Sequence, residues 1–201
     1  VRPAVGSSSH PHATPDRVYP LGARSASRKV VAPATAFAAS RVSVVALPGS
    51  VDLRRWAVTP GDQGQLNSCV PWVIDYGMLG WYSRFSGLVG QPFAPMYTYS
   101  QINGGGDWGS DVTDALDVAV KQGNDTRVDY TQGDNNWKTM PTTAERANAA
   151  RFKIKGYTTL FADVSQAGNI TLLKQALATN HPVAIKMSVR HGFDSLANNP
   201  S

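Results

Sequence analysis

From Cys69 onward the apolar residues keep a helical period. Val70, Val73, Ile74, Met78 and Trp81 fall at i, i+3, i+4, i+8 and i+11, a stripe along one helix face. Ser68 stands where an N-cap belongs, and Pro71 fits the first turn, where its missing N–H is harmless. The spacing predicts a second helix over 112–120, with Val112, Leu116, Ala119 and Val120 facing the core and Gly123 as its cap. Shorter helices are expected over 142–150, with Thr143 a candidate N-cap, and over 170–179, with Ile170, Leu173 and Leu177 inward. The period drops to two over 152–160, where Phe152, Ile154 and Gly156 alternate with Lys153 and Lys155. It does so again over 182–189, where Val183, Ile185, Met187 and Val189 alternate with Ala184, Lys186 and Ser188. Residues 42–47 predict one more short strand. Helices come first and strands later, an α+β order rather than repeated βαβ units. Two or three strands leave open edges unless more chain follows.

Composition divides the 201 residues unevenly. Residues 1–48 are rich in Ser, Ala, Pro and Arg without a sustained period, and predict a largely flexible leader or pro-segment. His10 and His12 lie in it, and their spacing alone does not make a metal site. Residues 49–150 are expected to form a helical domain, and 151–201 the beginning of a second, β-rich one. The net charge of +5 follows the same division. Residues 1–55 carry eight Arg or Lys against two Asp, while 56–201 carry eleven basic and twelve acidic residues. The basicity therefore belongs to the leader. The nearly neutral remainder lacks the clustered Lys/Arg and aromatic interleaving of a nucleic-acid-binding core. No apolar run approaches the roughly 20 residues of a membrane span. The chain begins at Val1, which predicts a processed or excised piece of a longer product.

The stretch with the most chemistry is Asp62-Gln63-Gly64-Gln65-Leu66-Asn67-Ser68-Cys69, which contains the single cysteine of the chain. One cysteine excludes an internal disulfide. At a helix start, backbone N–H groups and the macrodipole favour a thiolate over a thiol, which would make Cys69 a nucleophile. The alternative is a buried structural cysteine. Further on, Asn103-Gly104-Gly105-Gly106-Asp107-Trp108-Gly109-Ser110 forms a glycine loop. It lacks the Lys-Ser/Thr of a phosphate-binding loop, so nucleotide binding is rejected, and no cofactor is expected. Such a loop does let an extended peptide lie close to backbone.

The 62–69 stretch resembles the active-site segment of papain-like cysteine peptidases, particularly their bacterial members, whose signature around the nucleophile is Cys-Gly-Ser/Ala-Cys-Trp/Tyr. The match covers Gln63-Gly64, the six-residue step from Gln63 to Cys69, and Ser68-Cys69. Leu66, Asn67 and Val70 depart from the signature, and Leu66 removes a disulfide that has no partner here. Val51-Asp52-Leu53-Arg54 with Trp56 is similar to the mature N-terminus of the family. The 97–116 region is similar to the one where a Gly-Gly pair binds substrate backbone, aligned here with Gly109-Ser110. The resemblance implies a papain-like α+β fold: a helical left domain, and the start of an incomplete antiparallel β-barrel as the right domain. It also implies peptide-bond hydrolysis through an acyl-enzyme on Cys69, with Gln63 in the oxyanion hole, on a polypeptide substrate. Asn67, Ser68, Trp108, Gly109 and Ser110 would meet that substrate, and Lys186 would face its second residue. Secretion is expected from the family and the leader composition.

The family places its His and Asn roughly 130–150 residues beyond the cysteine. That window opens near residue 199, so both are expected in a downstream remainder of the protein, leaving this stretch inactive on its own. His181 reads as a loop residue, and His191 is a weaker candidate for the base. Two other readings compete: a non-catalytic peptide-binding module on the same scaffold, favoured by Asn67, and a basic-leader protein anchored to an acidic surface.

Overall fold

The computed structural model describes residues 22–24, 47–88, 92–161 and 168–187. All of these except Met187 belong to one compact unit. Its centre is helix α1, residues 69–85, which starts as an α-helical turn, Cys69–Pro71, widens to π-helix over Trp72–Leu79 and returns to α-helix over Gly80–Phe85. In the wide section the Gly80 N–H reaches back five residues to the Asp75 carbonyl. The extra residue per turn rotates the buried face. Val70, Ile74 and Trp81 are buried as the period requires, but Val73 is 47% exposed and Trp72, Tyr76 and Leu79 are inside.

Helix α2, Pro95–Ile102, packs across the start of α1 and is buried along residues 95–100. Proline opens it at the position where its missing N–H costs nothing. Helix α3, Val112–Lys121, lies beside both. Its inward residues are Ala115, Leu116, Val118 and Ala119, with Val112 and Val120 at the margin. Asp111 caps α3 by accepting the Thr113 N–H at 2.8 Å. Gly123 closes it as expected. Its φ of +88° suits glycine, and a Cβ there would lie 2.0 Å from the Ala149 carbonyl oxygen.

Helix α4, Thr143–Ala149, is capped by Thr142 rather than Thr143, because Thr142 and Glu145 complete a reciprocal capping box. Helix α5, Asn169–Ala178, buries Asn169 and Ala176, while Ile170 is 53% exposed. Two apolar clusters result. One joins Val70, Ile74, Leu79, Phe93, Ala115, Leu116 and Ala119. The other joins Ala94, Met96, Tyr97, Tyr99, Val118, Tyr130 and Ala149.

The strands do not form among the described residues, where pairing is confined to two isolated bridges, Ala23 with Ser110 and Phe93 with Thr126. Phe152 ends a 3-10 turn, Ala150–Phe152, and Ile154 turns its N–H to the Ala119 carbonyl instead of to a neighbouring strand. Residues 182–187 run without a ladder, with Ala184 against the first cluster and Ile185 and Met187 exposed. A period-2 pattern needs a partner strand to satisfy its backbone, and the described residues supply none. The strand expected at 42–47 lies outside them apart from Leu47, as do Ser188 and Val189.

Candidate functional site

Cys69 is the first residue of α1, half-buried against the cluster of Val70 and Leu116. Ser68 occupies the N-cap position and is buried, but its side chain makes no capping bond. The helix start alone is expected to favour a thiolate, and here burial pushes the Cys69 thiol up. Backbone groups of Gly22, Val70, Cys69 itself and Ala23 oppose that rise without overcoming it. Removal from water therefore outweighs the backbone donors around the sulfur.

Two of those groups come from the leader. Gly22, Ala23 and Arg24 lie as an extended segment beside Ser110. The Ser110 N–H donates to the Gly22 carbonyl at 2.8 Å, and the Arg24 N–H donates to the Ser110 carbonyl at 2.9 Å. The pairing is parallel. It is close on both flanks: a Cβ on Gly22 would lie 1.9 Å from the Asn67 carbonyl oxygen, and one on Gly109 would lie 2.0 Å from the Gly22 carbonyl oxygen. Gly109 has a φ of +80° as well, so glycine is required there twice over. The Arg24 guanidinium donates to the Ile102 carbonyl at the end of α2, 3.1 Å away. The Lys186 ammonium donates to the Arg24 carbonyl.

Asn67 and the glycine loop are tied by Asp107. The Asn67 N–H donates to Asp107 Oδ1 at 2.9 Å, and Asn67 Nδ2 donates to the Asp107 carbonyl, also at 2.9 Å. The Tyr99 hydroxyl donates to the same Oδ1 and accepts the Gly109 N–H at 3.2 Å. Burial first, then Asp107, push the Tyr99 hydroxyl above the ordinary phenol value, so it stays a donor. This chain, Asn67–Asp107–Tyr99–Gly109, sets the loop against the turn before Cys69. Neither Asp107 nor Tyr99 was singled out from sequence. Their signal, a carboxylate eight residues after a tyrosine in a buried aromatic helix, is too generic to find in advance.

The remaining candidates divide. Gln63 donates from Nε2 to the Leu66 carbonyl at 3.0 Å, which closes the 63–66 turn. Ser110 is buried with its backbone on the leader segment, whereas Trp108 is 72% exposed beside the loop. His181 follows α5 and pairs through Nδ1 with the Tyr82 hydroxyl of α1 at 2.9 Å, consistent with a loop role. His191, His10 and His12 lie outside the described residues. Among the described residues no group of three His, Cys, Asp or Glu could hold a metal ion. No described helix is long and apolar enough to cross a membrane.

The fold of this helical unit is similar to one already solved. The structure is similar to that of xylellain, a cysteine protease from Xylella fastidiosa, with a TM-score of 0.57 and 20% sequence identity. The similarity covers 69% of this chain and 56% of xylellain, so the chain spans a little over half the length of that protein. At that identity the likeness is one of fold, and it agrees with the papain-like architecture expected for the helical part. No protein-family model and no curated protein matches the sequence.

Proposed function

We propose that the chain is the nucleophile-bearing portion of a papain-like cysteine endopeptidase, completed by a downstream remainder that brings the histidine and asparagine. One observation supports this above the rest. Cys69 opens a buried helix beside a backbone edge, Ser110, on which an extended peptide segment already lies. In this reading Sγ of Cys69 attacks the scissile carbonyl carbon. The histidine protonates the departing amine, and water then hydrolyses the thioester and restores the thiol. The Gln63 amide and the Cys69 N–H hold the oxyanion, and Asn67, Ser68, Trp108, Gly109 and Ser110 border the substrate. Secretion fits the same reading.

The test uses the complete protein. Cys69→Ser is expected to abolish both peptide hydrolysis and labelling by an epoxide probe, and Gln63→Ala to lower hydrolysis about 10²–10³-fold. Hydrolysis that survives Cys69→Ser would sink the proposal. A second reading, a peptide-binding module without catalysis, draws support from the half-buried, upward-shifted thiol and the seated segment. In that case the epoxide leaves Cys69 unlabelled while peptides still bind.

A further inference from the structure

Asn67 stands where the papain-like signature has glycine, and the chemistry proposed for Cys69 gives its side-chain amide no step. The backbone does not ask for glycine there, since Asn180 is the only non-glycine among the described residues with a positive φ. The amide has a partner 40 residues away instead: Asn67 Nδ2 donates to the Asp107 carbonyl at 2.9 Å and lies 3.4 Å from Asp107 Oδ2. The Asn67 N–H donates to Asp107 Oδ1 at 2.9 Å, which is the one bond of the set that a glycine could also make. The turn before Asn67 is closed by its own bonds, from the Gly64 N–H to Asp62 Oδ1 at 2.8 Å and from Gln63 Nε2 to the Leu66 carbonyl at 3.0 Å. It moves as a unit, and Asn67 ties that unit to distant chain. The first half of the glycine loop is anchored without Asp107. Asn103 Oδ1 accepts the Gly105 N–H and Asn103 Nδ2 donates to the Trp137 carbonyl, each at 2.8 Å. Asp107 serves the second half. It accepts the Tyr99 hydroxyl, which in turn accepts the Gly109 N–H at 3.2 Å.

We propose that Asn67 and Asp107 are a pair of positioning residues, a clamp that fixes the Gln63 turn against the Gly109–Ser110 backbone, so that asparagine at 67 serves the site instead of spoiling it. The effect on rate rests on the peptidase reading, whereas the clamp rests on the hydrogen bonds alone. In that reading the Gln63 amide and the Cys69 N–H meet an oxyanion that exists only after attack, so a displaced turn lowers kcat more than it raises KM. Losing the Tyr99 link displaces the 109–110 backbone instead, where substrate is held in the ground and transition states alike, and raises KM.

Amide hydrogen exchange reads the clamp without catalysis. Asp107→Ala is expected to speed exchange at Asn67 and Gly109 about tenfold, the effect of losing one hydrogen bond to a charged group, while Gly105 in the same loop stays unchanged. Asp107→Asn keeps an acceptor oxygen for both donors and is expected to restore most of the protection. Peptide hydrolysis by the complete protein reads the positioning. Asp107→Ala and Asn67→Gly are each expected to lower kcat about tenfold with KM changed by less than about twofold, and Tyr99→Phe to raise KM with kcat nearly kept. The double variant Asn67→Gly, Asp107→Ala is expected to be no slower than Asp107→Ala, because both changes remove one shared interaction. An Asn67→Gly enzyme as fast as the parent, or unchanged exchange at both amides in folded Asp107→Ala, overturns the proposal. If Asp107→Ala does not fold, Asn67→Gly and Tyr99→Phe decide by the same kinetics. If the complete parent hydrolyses no peptide, the peptidase reading falls and the effect on rate with it, and exchange at Asn67 and Gly109 alone decides the clamp.

Discussion

Asp107 does more for the site than any residue the sequence marks. It takes the backbone N–H and the side chain of Asn67 on one side and the Tyr99 hydroxyl on the other. Tyr99→Phe is expected to leave the buried Gly109 N–H without its acceptor and to cost about 1–3 kcal/mol, measurable by urea denaturation. A change below a few tenths would mean that the hydroxyl is dispensable. Asp75 makes a second residue-scale case. It is fully buried in the wide section of α1, and burial pushes its carboxyl well above 3.8, against the pull of the Thr98 and Asn124 side chains. A carboxyl raised on folding stabilises at low pH and loses that contribution as pH rises from its unfolded value through its folded one. Asp75→Asn is therefore expected to raise the Tm relative to the parent at pH 8 and less so at pH 4. A Tm difference that does not grow with pH would refute the buried neutral carboxyl.

Helix α4 shows how one side chain anchors an element. Glu145 accepts from the Thr131 N–H and hydroxyl, the Gln132 amide, and the Thr142 N–H and hydroxyl. Burial acts to raise its carboxyl, but the donors, led by the Thr142 N–H and the Gln132 amide, together hold it down to about 2. Its contribution is present above the unfolded value of 4.5 and fades as pH falls through about 2. Glu145→Gln is expected to destabilise by about 1–3 kcal/mol at pH 7, and the gap to narrow steadily between pH 4.5 and 2. Thermal unfolding across that range checks it, and a pH-independent gap would contradict it. In α1 the π-helical section explains why the apolar stripe drawn at a period of 3.6 puts Val73 inside, whereas the structure puts it outside. Sequence periodicity assumes a uniform helix, and the wide section sets its own buried face, with Trp72, Tyr76 and Leu79 inside.

For the molecule as a whole, the helical clusters and the Cys69 neighbourhood lie in one unit with the leader segment 22–24. A segment that composition assigns to a flexible leader thus lies beside the candidate nucleophile. In the same unit Ile185 is exposed, while Ala184 packs inward and Lys186 holds the leader.

What depends on near neighbours was legible from the residues alone. Their pattern placed a cysteine at a helix start, proline in the first turn, glycine after α3 and the helical periods, because capping, φ limits and 3.6-residue spacing act within a few residues. The resemblance at Gln63–Cys69 then led to the fold of the helical part. What depends on distant partners emerged with the folded arrangement. It joined Asn67 to Asp107, chose Thr142 as the cap through Glu145, raised the Cys69 thiol by burial, and laid Gly22 against Asn67 and Ser110. Each of these is a desolvation or a long-range hydrogen bond, and its cost or gain is fixed by chain that is remote in sequence.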